Sequence, residues 1–195
     1  MKKLLYSVIL LVAFYNSSFA QNWQCLQYGP KHYFINGNNY LRGIRIDSVQ
    51  TDGANTIYYP YKTARKLDYP ESTIAGNVAG SWLGCKVIEE PDGIFLFDNM
   101  WNDTVVIKTL ANVGDTWPFF NDTSQISYTA TVTSLGTMVV LGAMDSVKTI
   151  TITADSGGIS NPLDPVNNFQ LILSKNNGFV QVCDLYTFLT IDRTA

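Results

Sequence analysis

Beyond residue 20 this 195-residue chain never sustains a helical period. Runs of about five to nine residues rich in Val, Ile, Thr, Tyr and Phe recur instead, each closed by a cluster of Gly, Asn, Asp or Pro. β-Branched and aromatic side chains suit a pleated, half-buried surface, whereas the closing residues suit turns. The pattern therefore predicts short strands joined by hairpins. Strands are expected at residues 31–36, 43–51, 55–59, 84–90, 93–98, 103–110, 126–135, 137–141, 143–154, 168–175 and 178–184. Asp52-Gly53, Pro91-Asp92 and Asn176-Asn177 read as hairpin turns, and a further strand is expected to pair back across Gly136. Pro60 is expected to stop the third strand and open a long loop over residues 60–80. Residues 113–118 read as a corner leading into a new strand. About ten mostly sequential strands imply an all-β fold, an antiparallel meander curled into an open or closed barrel-like sheet.

The N-terminus carries a different signal. Lys2 and Lys3 precede an apolar run over residues 4–14 broken only by Ser7, and Ser18 and Ala20 place small residues where a signal peptidase reads them. Residues 1–20 are read as a secretory signal peptide with cleavage before Gln21. The run is shorter than the roughly 20 apolar residues of a membrane-spanning helix. Residues 21–195 are then a single β-rich domain, expected to be secreted or at the cell surface, with no transmembrane segment after cleavage. A chain of that size should bury roughly 70% of its unfolded surface and so needs no metal or disulfide to fold.

Charge excludes some partners. Charged residues are 15% of the chain, against about 25% in ordinary globular proteins. The 13 Lys and Arg face 16 Asp and Glu, for a net charge of −3. Loss of Lys2 and Lys3 takes it to −5. The basic residues cluster only at Lys62, Arg65 and Lys66, so nucleic acid and anionic membranes are poor partners.

Three cysteines, Cys25, Cys85 and Cys183, allow at most one internal disulfide. Buried free thiols rank first, then a Cys85–Cys183 bridge, then a bridge through Cys25. Cys25 is expected in a mobile terminus. Asn22-Trp23-Gln24 before it lacks the small residue that a lipoprotein anchor needs.

Catalytic constellations are sparse. The single histidine, His32, leaves no His-cluster metal site and weakens any Ser-His-Asp triad. Glu89 and Glu90 are adjacent and so point to opposite faces of a strand. A glycosidase needs two carboxylates about 5–10 Å apart, and neither glutamate has an evident partner. Asp98, Asn99, Asn102 and Asp103 make an oxygen-rich loop, but its spacing is not that of an EF-hand. No cofactor is implied.

The aromatic residues are the clearest binding signal. Tyr58, Tyr59, Tyr61, Tyr69, Trp82 and Trp101 fall in or near the expected long loop and the hairpin ends. Flat aromatic faces stack on sugars and apolar ligands, and Tyr suits half-wet sites. The plainer reading, which ranks ahead of binding, is that these rings plug the open end of the sheet. A separate short unit, Asp-Ser/Thr-Val, occurs at Ser48, Thr104 and Ser146. It reads either as the same polar-to-apolar step in three strands or as the Asp-Ser/Thr-aliphatic signal for O-glycosylation of exported Bacteroidota proteins.

Gly-Asp-Thr-Trp at 114–117, Tyr-Thr-Ala-Thr-Val-Thr-Ser at 128–134, Leu-Gly-Ala-Met-Asp-Ser-Val-Lys-Thr-Ile at 141–150 and Ile-Leu-Ser-Lys-Asn-Asn-Gly-Phe-Val at 172–180 resemble a family of uncharacterised secreted β-rich proteins of Bacteroidota. Members often carry a C-terminal sorting domain for type IX secretion. The resemblance covers about residues 30–188 and implies a β-fold and export, with no catalytic residue to carry over. Residues 190–195 lack the Gly-rich and basic features of the sorting domain, so a short member or a truncated gene product is expected.

Three functions fit these readings. The first is a non-catalytic envelope or extracellular domain for adhesion, display or binding of a glycan or cell-surface protein. The second is a carrier holding a lipid-like ligand in an apolar interior. The third is a hydrolase using two unrecognised carboxylates. A filled core favours the first, an interior cavity the second, and two acids facing one cleft the third.

Overall fold

A computed structural model describes residues 23–29, 32–35, 40–66, 75–76, 81–84, 86–121, 126–157, 159–160 and 164–188. The expected signal peptide, Tyr69 and Cys85 lie outside them. The fold is all-β, and neither of its two antiparallel sheets closes on itself.

The first sheet holds β1 (His32–Ile35), β2 (Tyr40–Asp52), β3 (Asn55–Lys66), β5 (Val87–Glu90), β6 (Ile94–Asp98) and β7 (Thr104–Lys108) in that spatial order, with β4 (Ala75–Gly76) on β3. The second runs β13 (Gly178–Gln181), β12 (Gln170–Ser174), β10 (Ala143–Ser156), β9 (Ile126–Val140) and β8 (Thr116–Asn121), with β11 (Ile159–Ser160) on β10. Nearly every strand pairs with its neighbour in sequence, so each sheet is a meander. Such local pairing follows from the tight turns: Gly53 (φ 61°) lies between Asp52 and its partner Asn55, and Pro91–Gly93 form a single 3-10 turn between β5 and β6.

The expected corner at residues 113–118 is where the chain leaves one sheet for the other. The Asn112 N–H donates to the Asp115 carboxylate at 2.8 Å. Beyond it, the Trp117 indole N–H donates to the Val106 carbonyl at 2.9 Å, tying β8 to β7. Both sheets turn their apolar faces to one shared core. The first contributes Ile44, Tyr58, Val87, Phe95, Phe97, Val105 and Ile107, and the second Tyr128, Ala130, Val132, Ile150, Ile152, Leu171 and Leu173. Tyr128, Ala130 and Val132 share the inward face that their alternation predicts. Phe97 meets Phe179 with ring centroids 6.0 Å apart, and Phe188 packs edge-on against Phe119, Phe120 and Tyr128 at 5.2–5.3 Å. Buried side chains of both sheets form one continuous cluster.

Three expectations need correction. Pro60 does not stop β3, which runs on to Lys66. Pro60 pairs with Ile46 where β2 carries a bulge between Ile46 and Ser48. A bulge is one of the few places a sheet accepts a residue without an N–H. Gly136 does not turn the chain: β9 passes straight through it, opposite Val147. The reversal comes at Leu141 and Gly142, both at positive φ (50° and 86°) as a type I′ turn requires. Cys25 is not at a loose end. Trp23, Cys25 and Leu26 are buried in the core, and the Phe179 N–H reaches the Cys25 carbonyl.

Candidate functional site

Two of the six aromatic candidates are structural. Tyr58 is buried on β3, and its hydroxyl donates to Glu89 Oε2 at 2.5 Å. Burial raises the phenol's pKa, and the bond to Glu89 raises it further. Glu89 thus faces a phenol, the opposite of the carboxylate pair a glycosidase uses. Trp82 is only 4% exposed and meets Phe34 edge-to-face at 5.0 Å. It is a core plug. Tyr59, next along β3, is half-buried and donates to Gln50 Oε1 at 3.2 Å. Tyr61 lies on β3 with its side chain outside the described residues, as does all of Tyr69.

Trp101 differs. It is 47% exposed, beside the exposed Met100, on the loop between β6 and β7. Asn99 builds that loop. Its Oδ1 accepts the backbone N–H groups of Trp101 and Asp103, each at 2.9 Å. Its own N–H donates to the Asp103 carbonyl, and the Asn102 N–H donates back to the Asn99 carbonyl. Asn102 sits at φ 64°, a conformation asparagine tolerates. Two of the four groups that suggested a cation loop are engaged inside the protein: Asn99 holds the turn and Asp98 pairs with Lys86 at 3.1 Å.

The C-terminal segment anchors this loop to Trp82. The Met100 N–H donates to the Tyr186 carbonyl at 2.9 Å, while the N–H groups of Leu185 and Tyr186 donate to the Trp82 carbonyl at 2.8 and 3.1 Å. Asp184 Oδ1 accepts from Tyr186 and Thr187 and closes that last turn. Close packing continues below, where Gly84 lies against the Asp98 backbone. The buried indole N–H of Trp82 and the Asn99 side-chain amide have no hydrogen-bond partner among the described residues. One end of the sandwich thus presents an exposed indole on a rigid turn, braced by a buried one.

The three hydroxyls of the Asp-Ser/Thr-Val units, Ser48, Thr104 and Ser146, are exposed. Their aspartates differ. Asp47 is exposed and paired with Arg45 at 2.6 Å, whereas Asp145 is buried and committed. Asp145 accepts from the Ser174 hydroxyl, the Asn176 N–H (3.1 Å), the Asn176 and Asn177 amides (2.8 and 3.0 Å) and the Ser146 N–H (2.8 Å). Burial pushes its pKa up, but these bonds together pull it below the ordinary value. Sequence reading saw a strand step or a glycosylation signal here and missed the network, because the partners lie some 30 residues away.

Cys25 and Cys183 are buried free thiols, and Cys85, the weighed partner of Cys183, lies outside the described residues. Burial raises both pKa values, Cys183 to about 12 and Cys25 well above the usual thiol, so neither is a ready nucleophile. Among the described residues no three His, Cys, Asp or Glu side chains gather as metal ligands, and no helix is long and apolar enough to cross a membrane. No family model, curated protein or solved structure matches the chain.

Proposed function

We propose that this chain is an exported, non-catalytic binding domain that recognises a glycan or glycan-bearing surface through Trp101. The observation that carries the reading is the presentation of that indole. A large ring left half in solvent, on a turn locked by Asn99 and tied back through Met100 to Tyr186, costs little entropy to stack on a flat ligand. A weakly charged surface suits a neutral sugar better than an ionic partner. The packing of both sheets' side chains into one core cluster favours a display or binding domain over a lipid-like carrier. The pairing of Glu89 with Tyr58 argues against a two-carboxylate hydrolase.

Affinity electrophoresis of the secreted protein through gels containing plant, bacterial and mucin-type polysaccharides tests the reading. Retardation by at least one neutral polysaccharide is expected. Unchanged mobility in every gel contradicts it. N-terminal sequencing of the same material tests export, with Gln21 expected as the first residue.

A further inference from the structure

We propose that the far end of the β9–β10 hairpin is a self-association surface, on which two copies of this chain join edge to edge through β9. The second sheet is five strands wide in its middle but only two at this end. β8 accompanies β9 as far as Thr131, Val132 makes two further backbone bonds with Gly114 and Asp115, and β12 accompanies β10 from Thr151 to Val147. Beyond these points the hairpin continues as a ribbon, Ser146↔Thr137 through Ala143↔Val140. The outer edge of β10 is still guarded by the Lys175 N–H on the Ser146 carbonyl and by Asp145. Among the described residues nothing pairs with the outer edge of β9 over residues 133–140.

The ribbon's face is also unfinished. Alternation puts Ala154, Ile152, Ile150 and Lys148 on the core side of β10, all buried, and then Ser146 and Met144, both exposed. Leu135, Thr137 and Val139 lie opposite Lys148, Ser146 and Met144 on that same side. Leu135, Val139 and Met144 are 53%, 63% and 66% exposed, and Leu141 at the tip is 89% exposed. The core face of the sheet thus runs on past the end of the opposing sheet.

The occupant must satisfy both features. A bilayer covers apolar side chains but leaves the unpaired amides of β9 without hydrogen bonds, at several kcal/mol per group. A β-strand satisfies the edge and the stripe together. A second copy supplies that strand, because residues 123–144 carry no charged side chain and no proline. Exposed edges are normally defended by charge, above all lysine, or by proline. This one has neither. The chain is net acidic, and this uncharged segment adds nothing to the repulsion between two copies. A two-fold axis normal to the sheet pairs β9 with its copy in antiparallel fashion and sets the Leu135 and Val139 side chains of both copies on one face. A standard stable interface buries roughly 800 Å² per partner, and a contact confined to one short strand edge is expected to give a dimer that depends on concentration.

Sedimentation velocity of the secreted chain from about 1 to about 200 µM reads the association directly. The wild type is expected to shift from monomer towards dimer. The double variant Leu135→Lys/Val139→Lys, whose side chains are exposed and whose melting temperature should be unchanged, is expected to stay monomeric. Val139→Ile keeps the dimer. A wild type that is monomeric throughout overturns the proposal, as does a dimer indifferent to the two lysines. Flotation of the wild type, and not the lysine variant, with phosphatidylcholine vesicles also overturns it, in favour of a lipid surface.

Discussion

Lys148 holds its ammonium 4.8 Å from the ring centroid of Trp23, joining the first described residue of the chain to the middle of β10. The same ammonium donates to the carbonyls of Thr109 and Ala111 at 2.5 and 2.6 Å. It therefore ties the chain's crossing between the two sheets to the core.

That position makes stability depend on alkaline pH. Burial lowers the Lys148 pKa from its ordinary 10.5, with Asp115 partly opposing. Between its folded value and 10.5 the native state binds fewer protons than the unfolded chain, so this group's contribution to stability rises with pH across that window. Denaturant melts of the wild type and Lys148→Met at about pH 8 and about pH 10.5 should show the wild type gaining relative to the variant. An unchanged difference would mean that the lysine titrates as if exposed.

Asp145 works at the other end of the pH scale. Its folded pKa lies below the ordinary value, so its contribution is complete above that value and is lost as pH falls through the folded pKa. Asp145→Ala should lose about 3 kcal/mol at neutral pH, since the buried Ser174 hydroxyl loses its acceptor and the β12–β13 turn its tether. Asp145→Asn should show a shallower loss of stability in acid than the wild type. Urea melts at several pH values measure both effects.

Gly84 lies at φ 116°, and a Cβ there would stand 2.4 Å from the Asp98 carbonyl oxygen. Gly84→Ala is expected to cost more than about 1 kcal/mol through strain and contact together. It should also loosen the Trp101 loop, which begins one residue after Asp98. Hydrogen exchange at the Trp101 and Asp103 amides would report that loosening.

The two tryptophans at this end should separate in a melt. Trp82→Ala is expected to lose about 3–5 kcal/mol, as much as the strand control Phe95→Ala. Trp101→Ala should stay within about 0.5 kcal/mol of the wild type. A large loss at Trp101 would mark it as a packing residue.

The strands were legible because their signals are local. Alternation identified the inward face of Tyr128, Ala130 and Val132, and Asp52-Gly53 and Pro91-Asp92 identified their turns. Pro60 and Gly136 misled because each was read alone. A bulge at Ile46–Ser48 on the neighbouring strand makes room for the proline, and Leu141-Gly142 offers a better turn than Gly136. At the candidate site composition found the aromatics but not their roles. Trp82 and the Trp101 loop are tied together through the backbone of Leu185 and Tyr186, some hundred positions away in sequence. Asn99 was visible only as one oxygen among four until its two backbone partners fixed its part.

Affinity electrophoresis of Trp101 variants tests the central claim most directly. In a gel containing a polysaccharide that retards the wild type, Trp101→Ala should lose about 2 kcal/mol of affinity, roughly 30-fold, while Trp101→Phe recovers part of it. Equal retardation of the wild type and Trp101→Ala, with both variants folded, would contradict a recognition role for this indole.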